Sequence, residues 1–365
     1  MTNLKDAAGY MARALQLAEK GRHSTQPNPR VGCVIVRDGV IVGEGFHERA
    51  GEPHAEVHAL RMAGDKARGA DVFVTLEPCS HFGRTPPCAD GLIAAGVRKV
   101  WAAMQDPNPE VAGKGLERLR AAGIEVESGL MHAQAQALNR GFVMRMTRGR
   151  PFVTLKLAAS LDGRTAMANG ESQWITSEAA RADVHRLRAE AGAVLTSSAT
   201  VLADDPELTV RHVETSRQPD RIVLDPRGRV SASAKVWNDG ARRILLTAQS
   251  QSQSQLAKPA GVEVAQLDRY GEYFSMSAAM SELGRLKINE VLVECGPTLA
   301  GLLLQAEVVD ELVLYLAPSL LGDAARPLAR LPNLEKLSQR IALQWRDVRA
   351  VGPDLRLTAV PAATV

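Results

Sequence analysis

His54-Ala55-Glu56, followed beyond an apolar run by Pro78-Cys79 and then Cys88, is the pattern that most constrains this 365-residue chain. One imidazole and two thiolates are the borderline and soft donors that suit zinc. Three such ligands leave one coordination position for water, whereas a structural zinc site fills all four with protein groups. Zinc draws the pKa of that water towards neutrality, and a carboxylate that is not a ligand, here Glu56, is free to carry the proton. The fold must therefore bring two distant segments to one point. Gly51-Glu52-Pro53 punctuates the chain before His54, and His54 to Ala63 has helical composition. Val72 to Leu76 reads as a strand that Pro78 ends, and Cys88 opens a second helical stretch to Ala95. A thiolate at a helix start is favoured by the helix dipole and by zinc itself. The expected site lies at two helix starts facing one cavity.

Zinc-dependent nucleobase deamination requires this set of groups, with the Glu shuttling a proton to departing ammonia. The general signature puts two residues between its cysteines; here eight intervene, Ser80 to Pro87. A loop carrying His81 and Arg84 beside the metal suits an anionic substrate group such as a phosphate. His58 lies on the same helix face as His54, but the metalloprotease pattern needs Glu directly after its first His. Ala55 stands there, so His58 is read as structural. Cys33, in an apolar run, is read as a small buried hydrophobe. Four cysteines in 365 residues make no disulfide scaffold.

The surroundings alternate. Leu4 to Lys20 is an amphipathic helix, and Asp38-Gly39 is a hairpin turn between Val31–Val36 and Val40–Gly43. A strand at Val97–Met104, a helix at Gly113–Ala122, a strand at Ile124–Glu127 and one helix from Leu130 to Met146 complete a three-layer α/β pattern. Thr147 to Pro151 is polar and carries Gly and Pro, so the boundary is expected there, giving domains 1–147 and 151–365. A second α/β pattern starts at Phe152–Ala158, with strand-like runs at Ala193–Thr196, Arg221–Leu224, Ile244–Thr247, Gly261–Val264, Glu290–Glu294 and Leu312–Leu316. Ser250 to Gln255 is low in complexity and reads as an exposed connector.

With 44 basic and 41 acidic residues, charge is near balance, and aromatics are 4% of the chain. Neither suggests a nucleic-acid footprint. Met1 to Lys20 has no continuous apolar core, and no run approaches a membrane span. A thiolate metal site without an export signal points to the cytoplasm.

In the second half, Val291-Leu292-Val293-Glu294-Cys295-Gly296-Pro297-Thr298-Leu299-Ala300-Gly301 reads as a buried strand, a Gly-containing turn and a helix start. Free N–H groups there suit a phosphate, although a plain strand–helix turn reads the same way. Ser160 to Arg164 is a turn after a strand, Asp204-Asp205-Pro206 fits a capped loop, and Trp174 fits ordinary core.

In combination these motifs resemble one family, the bifunctional riboflavin-biosynthesis deaminase–reductases, over residues 7–330. The likeness rests on Asn28-Pro29-x-Val31-Gly32, Gly45-x-His47, His54-Ala55-Glu56 and Pro78 to Cys88. It continues through Lys156-Leu157-x-x-Ser160-Leu161-Asp162-Gly163, Glu171 to Thr176, Thr200 to Pro206 and Glu294-x-Gly296-Pro297-Thr298-Leu299. The long loop between the cysteines is that family's own form.

The resemblance implies a cytidine-deaminase-like three-layer α/β domain followed by a dihydrofolate-reductase-like α/β domain. The first would deaminate 2,5-diamino-6-ribosylamino-4(3H)-pyrimidinone 5′-phosphate; the second would use NADPH to reduce the ribosyl group to ribityl. His54, Cys79 and Cys88 would bind zinc and Glu56 would shuttle the proton. Asn28 and His47 would touch pyrimidine or ribose, and His81 and Arg84 the phosphate. Ala158, Trp174, Thr200, Asp204 and the turn Gly296, Pro297, Thr298, Leu299, Ala300 and Gly301 match NADPH positions. Ser172, Arg188, Leu208, Arg211 and Glu294 match substrate positions, and Lys156 joins Glu294 as proton donor or orienter. A homo-oligomer, dimer or tetramer, is implied as well. No arginine can be assigned to the cofactor's 2′-phosphate.

Two other readings stand beside this one. A free nucleoside or a base in tRNA would be the deaminase substrate in the first, and the tRNA form predicts a basic or aromatic surface that composition lacks. The second makes the chain a zinc-stabilised nucleotide sensor, against which Glu56 argues, since a closed structural site needs no adjacent acid.

Overall fold

The computed structural model describes residues 4–80, 86–238, 240–248, 260–332 and 334–362. His81, Arg84 and the Ser250–Gln255 connector lie outside the described residues. The chain divides into two compact units, Met1–Gly149 and Arg150–Val365.

The first unit runs α1 (Leu4–Glu19), β1 (Gly32–Arg37), β2 (Val40–Phe46), α2 (Ala55–Ala63), β3 (Asp71–Val74), α3 (Cys88–Ala95), β4 (Lys99–Ala102), α4 (Lys114–Ala121), β5 (Glu125–Ser128), α5 (His132–Leu138) and α6 (Arg140–Arg148). Its sheet has the order β2-β1-β3-β4-β5. β1 is antiparallel to both neighbours, while β3, β4 and β5 are parallel. Strand alternation produces the layers. Cys33, Ile35, Val72, Val74, Val100 and Ala102 point to one core with residues of α2, α3 and α4. Val34, Val36, Phe73 and Trp101 point to the other, with residues of α1, α5 and α6.

One expectation needs correcting: Leu130–Met146 is two helices, not one, broken at Asn139. Asn139 is buried, and its side chain accepts from the Arg30 N–H and donates to the Arg30 carbonyl. Its backbone still joins both helices, its N–H donating to the Ala135 carbonyl and its carbonyl accepting from the Val143 N–H, but φ of −110° and ψ of 22° take it out of helical geometry. Helical periodicity cannot report it.

The second unit runs β6 (Phe152–Ser160), β7 (Arg164–Ala166), α7 (Glu178–Glu190), β8 (Ala193–Ser197), α8 (Ser198–Asp204), β9 (Asp220–Leu224), β10 (Arg243–Thr247), β11 (Val262–Gln266), β12 (Arg269–Tyr270), β13 (Tyr273–Phe274), α9 (Met276–Arg285), β14 (Glu290–Glu294), α10 (Pro297–Gln305), β15 (Glu311–Ala317), β16 (Arg326–Pro327), β17 (Leu343–Val351) and β18 (Asp354–Pro361). Nine strands form one sheet in the order β11-β10-β9-β8-β14-β6-β15-β18-β17. The pairs from β11 to β15 are parallel, and β15–β18 and β18–β17 are antiparallel. One face packs Val153, Leu155, Val293 and Ile244 on residues of α9 and α10; the other packs Val194, Val223, Leu292 and Tyr315 on Val184 and neighbouring segments. The parallel strands between two apolar layers read as continuous apolar runs, as such sheets require. β17 and β18 had no strand assignment from periodicity. Every residue of β17 but the last is exposed, so no one-sided apolar pattern marks it.

Candidate active sites

In the first unit the groups converge as the spacing predicts. His54 is the N-cap of α2, Cys88 is the first residue of α3, and Cys79 lies in the segment that follows β3, whose last residue is Val74. His54 Nδ1 lies 3.6 Å from Cys79 Sγ and 3.3 Å from Cys88 Sγ. All three donor atoms fall within 4.8 Å of one another. The Cys88 N–H donates to Cys79 Sγ at 3.3 Å. The donor set and its three-ligand count fit a catalytic zinc with one open position.

Proton competition at this point agrees. A hydrogen bond from Cys88, together with His54, holds the Cys79 thiol down to about 4 against its burial. That same bond and burial push Cys88 up, and the bond to Cys79 pulls His54 up. Groups contending for protons this closely are groups a dication can bridge. Glu56, in the first turn of α2 and buried, is raised to about 7 by desolvation, with His54 opposing.

His47 and Asn28 join this cluster. The His47 and His54 rings meet edge to face with centroids 5.3 Å apart. His47 Nδ1 lies 3.2 Å from the Pro53 carbonyl and Nε2 lies 3.1 Å from Asn28 Nδ2. The consistent tautomer has Nδ1–H donating to Pro53 and Nε2 accepting from Asn28. Burial lowers the His47 pKa, which favours that neutral form. Cys33 is a buried free thiol, and His58 lies outside the donor triad.

Glu77 escaped the sequence reading. Its buried carboxylate accepts backbone N–H groups of Asp106 (3.1 Å), Gly113 (2.9 Å), Gly115 (2.8 Å) and Leu116 (3.4 Å). These include the start of α4, whose orphan amides need an acceptor. A Cβ on Gly115 would meet the Pro78 carbonyl oxygen at 1.9 Å, so only glycine admits that approach. Glu77 and Gly115 thus pin the two residues before Cys79. Replacing Glu77 by Gln turns an amide NH2 towards N–H donors and is expected to cost about 1–3 kcal/mol. Zinc release to a chelating dye should accelerate in step; unchanged release would mean that the clamp does not position Cys79.

In the second unit a cavity of about 540 Å³ opens where β6, β14 and β8 end. Glu294 and Lys156 lie opposite each other in the β14–β6 register, and their side chains approach to 3.8 Å. From α7, Arg188 grips Glu294 in a two-pronged pair at 2.5 and 3.0 Å and donates to the Thr209 carbonyl at 3.0 Å. Burial alone would raise Glu294, but Arg188 and Lys156 outweigh it and hold the carboxyl at about 2. Burial lowers the Lys156 pKa. The trio carries one surplus positive charge, suited to an anionic ligand.

Ala158, Ser172, Thr200, Asp204, Leu208 and Gly296 to Leu299 also line this cavity. Four expected residues do not. Trp174 is 69% exposed under the Arg181 guanidinium, 4.4 Å from its ring centroid, so neither a core role nor the cavity wall describes its place. Arg211 points its side chain to Glu207 and Thr209, while its N–H donates to His185 Nδ1. Ala300 and Gly301 are buried one turn into α10. A Cβ on Gly301 would meet the Arg330 carbonyl oxygen at 1.9 Å, so close backbone packing accounts for that glycine.

That packing brings Arg330 to the cavity, its N–H donating to the Pro297 carbonyl at 2.9 Å. Arg326 reaches the same wall from β16. No motif announced either arginine. Among the described residues, no helix is long and apolar enough to cross a membrane.

Residues 4–104 match the cytidine and deoxycytidylate deaminase zinc-binding region, and residues 151–357 match the RibD C-terminal domain. The chain is 56% identical to the riboflavin biosynthesis protein RibD of Escherichia coli K12, covering 97% of this chain and 99% of that one. It is 44% identical to RibD of Aquifex aeolicus, covering 95% and 96%. Acinetobacter baumannii RibD, form 1, superposes with TM-score 0.91 at 44% identity, covering 99% of this chain and 100% of that one. A Thermotoga maritima diaminohydroxyphosphoribosylaminopyrimidine deaminase/5-amino-6-(5-phosphoribosylamino)uracil reductase superposes with TM-score 0.88 at 36% identity, covering 98% and 99%.

Proposed function

The chain belongs to the RibD family of bifunctional deaminase–reductases of riboflavin biosynthesis, and from that membership we propose how its residues divide the work. The first unit deaminates 2,5-diamino-6-ribosylamino-4(3H)-pyrimidinone 5′-phosphate. The second reduces the ribosyl group of the product to ribityl with NADPH. The carrying observation is the His54, Cys79 and Cys88 triad with the buried acid Glu56 in the first turn of the helix that His54 caps.

His54, Cys79 and Cys88 hold zinc, which supplies a Lewis acid that makes a water nucleophilic near neutral pH. Glu56 takes the proton and delivers it to the departing amine. Asn28 and His47 orient the pyrimidine or ribose, and His81 and Arg84 meet the phosphate. In the second unit NADPH supplies hydride. Ala158, Thr200, Asp204 and Gly296 to Leu299 line its berth; Trp174 belongs to the same group of expected contacts from its exposed position. Lys156, Ser172, Arg188, Leu208 and Glu294 orient the substrate, and Arg211 belongs to the same group of expected contacts from outside the cavity lining. The domains divide at 147–151, and the enzyme works in the cytoplasm as a homo-oligomer, dimer or tetramer.

The test supplies the diaminopyrimidine ribotide and NADPH together and follows ammonia and nicotinamide absorbance. Ammonia release followed by NADPH oxidation is the expected result. No ammonia from zinc-loaded protein would sink the substrate assignment and favour the nucleoside reading. Ammonia without NADPH oxidation would sink the second step alone.

A further inference from the structure

A second cavity, of about 240 Å³, adjoins the large one and shares Ser197, Ala199, Thr298 and Leu299 with it. It continues past the end of β9 to the loop carrying Arg227 and Arg229. The two cavities together follow the carboxyl ends of β6, β14, β8 and β9, neighbours in that order. Three inter-strand steps separate β6 from β9, about 14 Å at ordinary strand spacing. Such a crevice at the strand ends of an open sheet suits a long, extended ligand.

The two arginines differ in what occupies them. Arg227 is paired with Glu272 at 2.6 Å, so its charge is answered. Arg229 has a neutral partner, donating to the buried Ser198 hydroxyl at 3.1 Å. No acid pairs with it among the described residues. Its loop is held in place: Asp225 accepts the Val230 N–H at 2.8 Å, and the Gly228 N–H donates to the Asp225 carbonyl at 3.2 Å. A guanidinium without an acid, fixed in a cavity wall, is a receptor for a dianion.

We propose that Arg229, steadied by Ser198, binds the 2′-phosphate of the reductant's adenosine and makes this enzyme prefer NADPH to NADH. The inference rests on the reductase reading above. With Lys156 and Glu294 at one end of the crevice and Arg229 at the other, the nicotinamide and adenosine ends are assigned to opposite ends of one groove.

The experiment uses full-length wild type, Arg229→Ala, Arg229→Lys and the control Arg285→Ala, whose exposed side chain pairs with Glu282 within α9. Calorimetric binding of adenosine 2′,5′-bisphosphate is compared with that of 5′-AMP. Steady-state rates with NADPH and NADH are then taken using the deaminated intermediate. Arg229→Ala should weaken the bisphosphate and raise KM for NADPH about 10- to 100-fold, the range for a hydrogen bond to a charged group. It should leave 5′-AMP and NADH unchanged, with kcat little altered. Arg229→Lys should recover part of the preference, and Arg285→Ala should behave as wild type. Arg229 is exposed, so its loss should not unfold the unit. An Arg229→Ala protein that keeps the wild-type preference for bisphosphate over 5′-AMP overturns the proposal. Wild type that prefers the bisphosphate yet oxidises neither nicotinamide supports the subsite and defeats the reductase reading instead.

Discussion

Replacing Glu56 by Gln is expected to reduce ammonia release by about 10²- to 10⁴-fold, the contribution of a positioned proton carrier. The substitution keeps shape in a buried position and removes only the ability to accept and return a proton. Zinc content should remain one per chain, because His54, Cys79 and Cys88 form the donor triad without Glu56. Given the deaminated intermediate, the variant should oxidise NADPH like wild type, because its change lies in the first compact unit. The measurement is therefore threefold: ammonia, metal content and nicotinamide absorbance. Near-normal ammonia release would remove Glu56 from the mechanism. Lost zinc would show that its role is to hold the metal site together.

The second large effect is expected from Glu294→Gln. This carboxylate answers two cations, Arg188 and Lys156, and all three side chains are mostly buried. Removing the charge leaves both cations without compensation, a change that costs about 3–5 kcal/mol when a buried pair is broken. NADPH oxidation should fall with it, since the same trio forms the polar end of the cavity. The pH dependence has a definite sign. The folded carboxyl sits at about 2, below its ordinary 4.5, so its contribution is complete above about 4.5 and is lost as pH falls towards 2. The stability gap between wild type and variant should be widest at neutral pH and should close across that acid window. Calorimetric unfolding at several pH values measures it, and a gap unchanged at about pH 2 would show that the charge of Glu294 is not what stabilises the unit.

Legibility in the sequence followed the range of the interaction. Helix starts, strand runs and turns depend on near neighbours, so α3 at Cys88–Ala95 and β14 at Glu290–Glu294 stood where periodicity put them. Asn139, where the helix breaks, pairs its side chain with Arg30, far away along the chain, and periodicity passed over it. Glu77 looked like any acid beside a proline, because its meaning lies in amides of a later loop. Gly301 stood in a suggestive turn, yet what it admits is the carbonyl of Arg330.

The chain's own order of residues determined the chemistry: which donors meet a metal, which acid stands beside them, and which two motif sets share one polypeptide. Ligand identity and short spacing are written in local sequence, because one helix turn or one strand end sets them. Only tertiary structure decided which charges remain available. Arg188 is consumed by Glu294, Arg227 by Glu272 and Arg211 by Glu207, while among the described residues Arg229 meets a hydroxyl and no acid. Sequence lists all four as equal cations. Their difference is the presence of an opposing charge within a few ångströms, and packing alone brings that charge near.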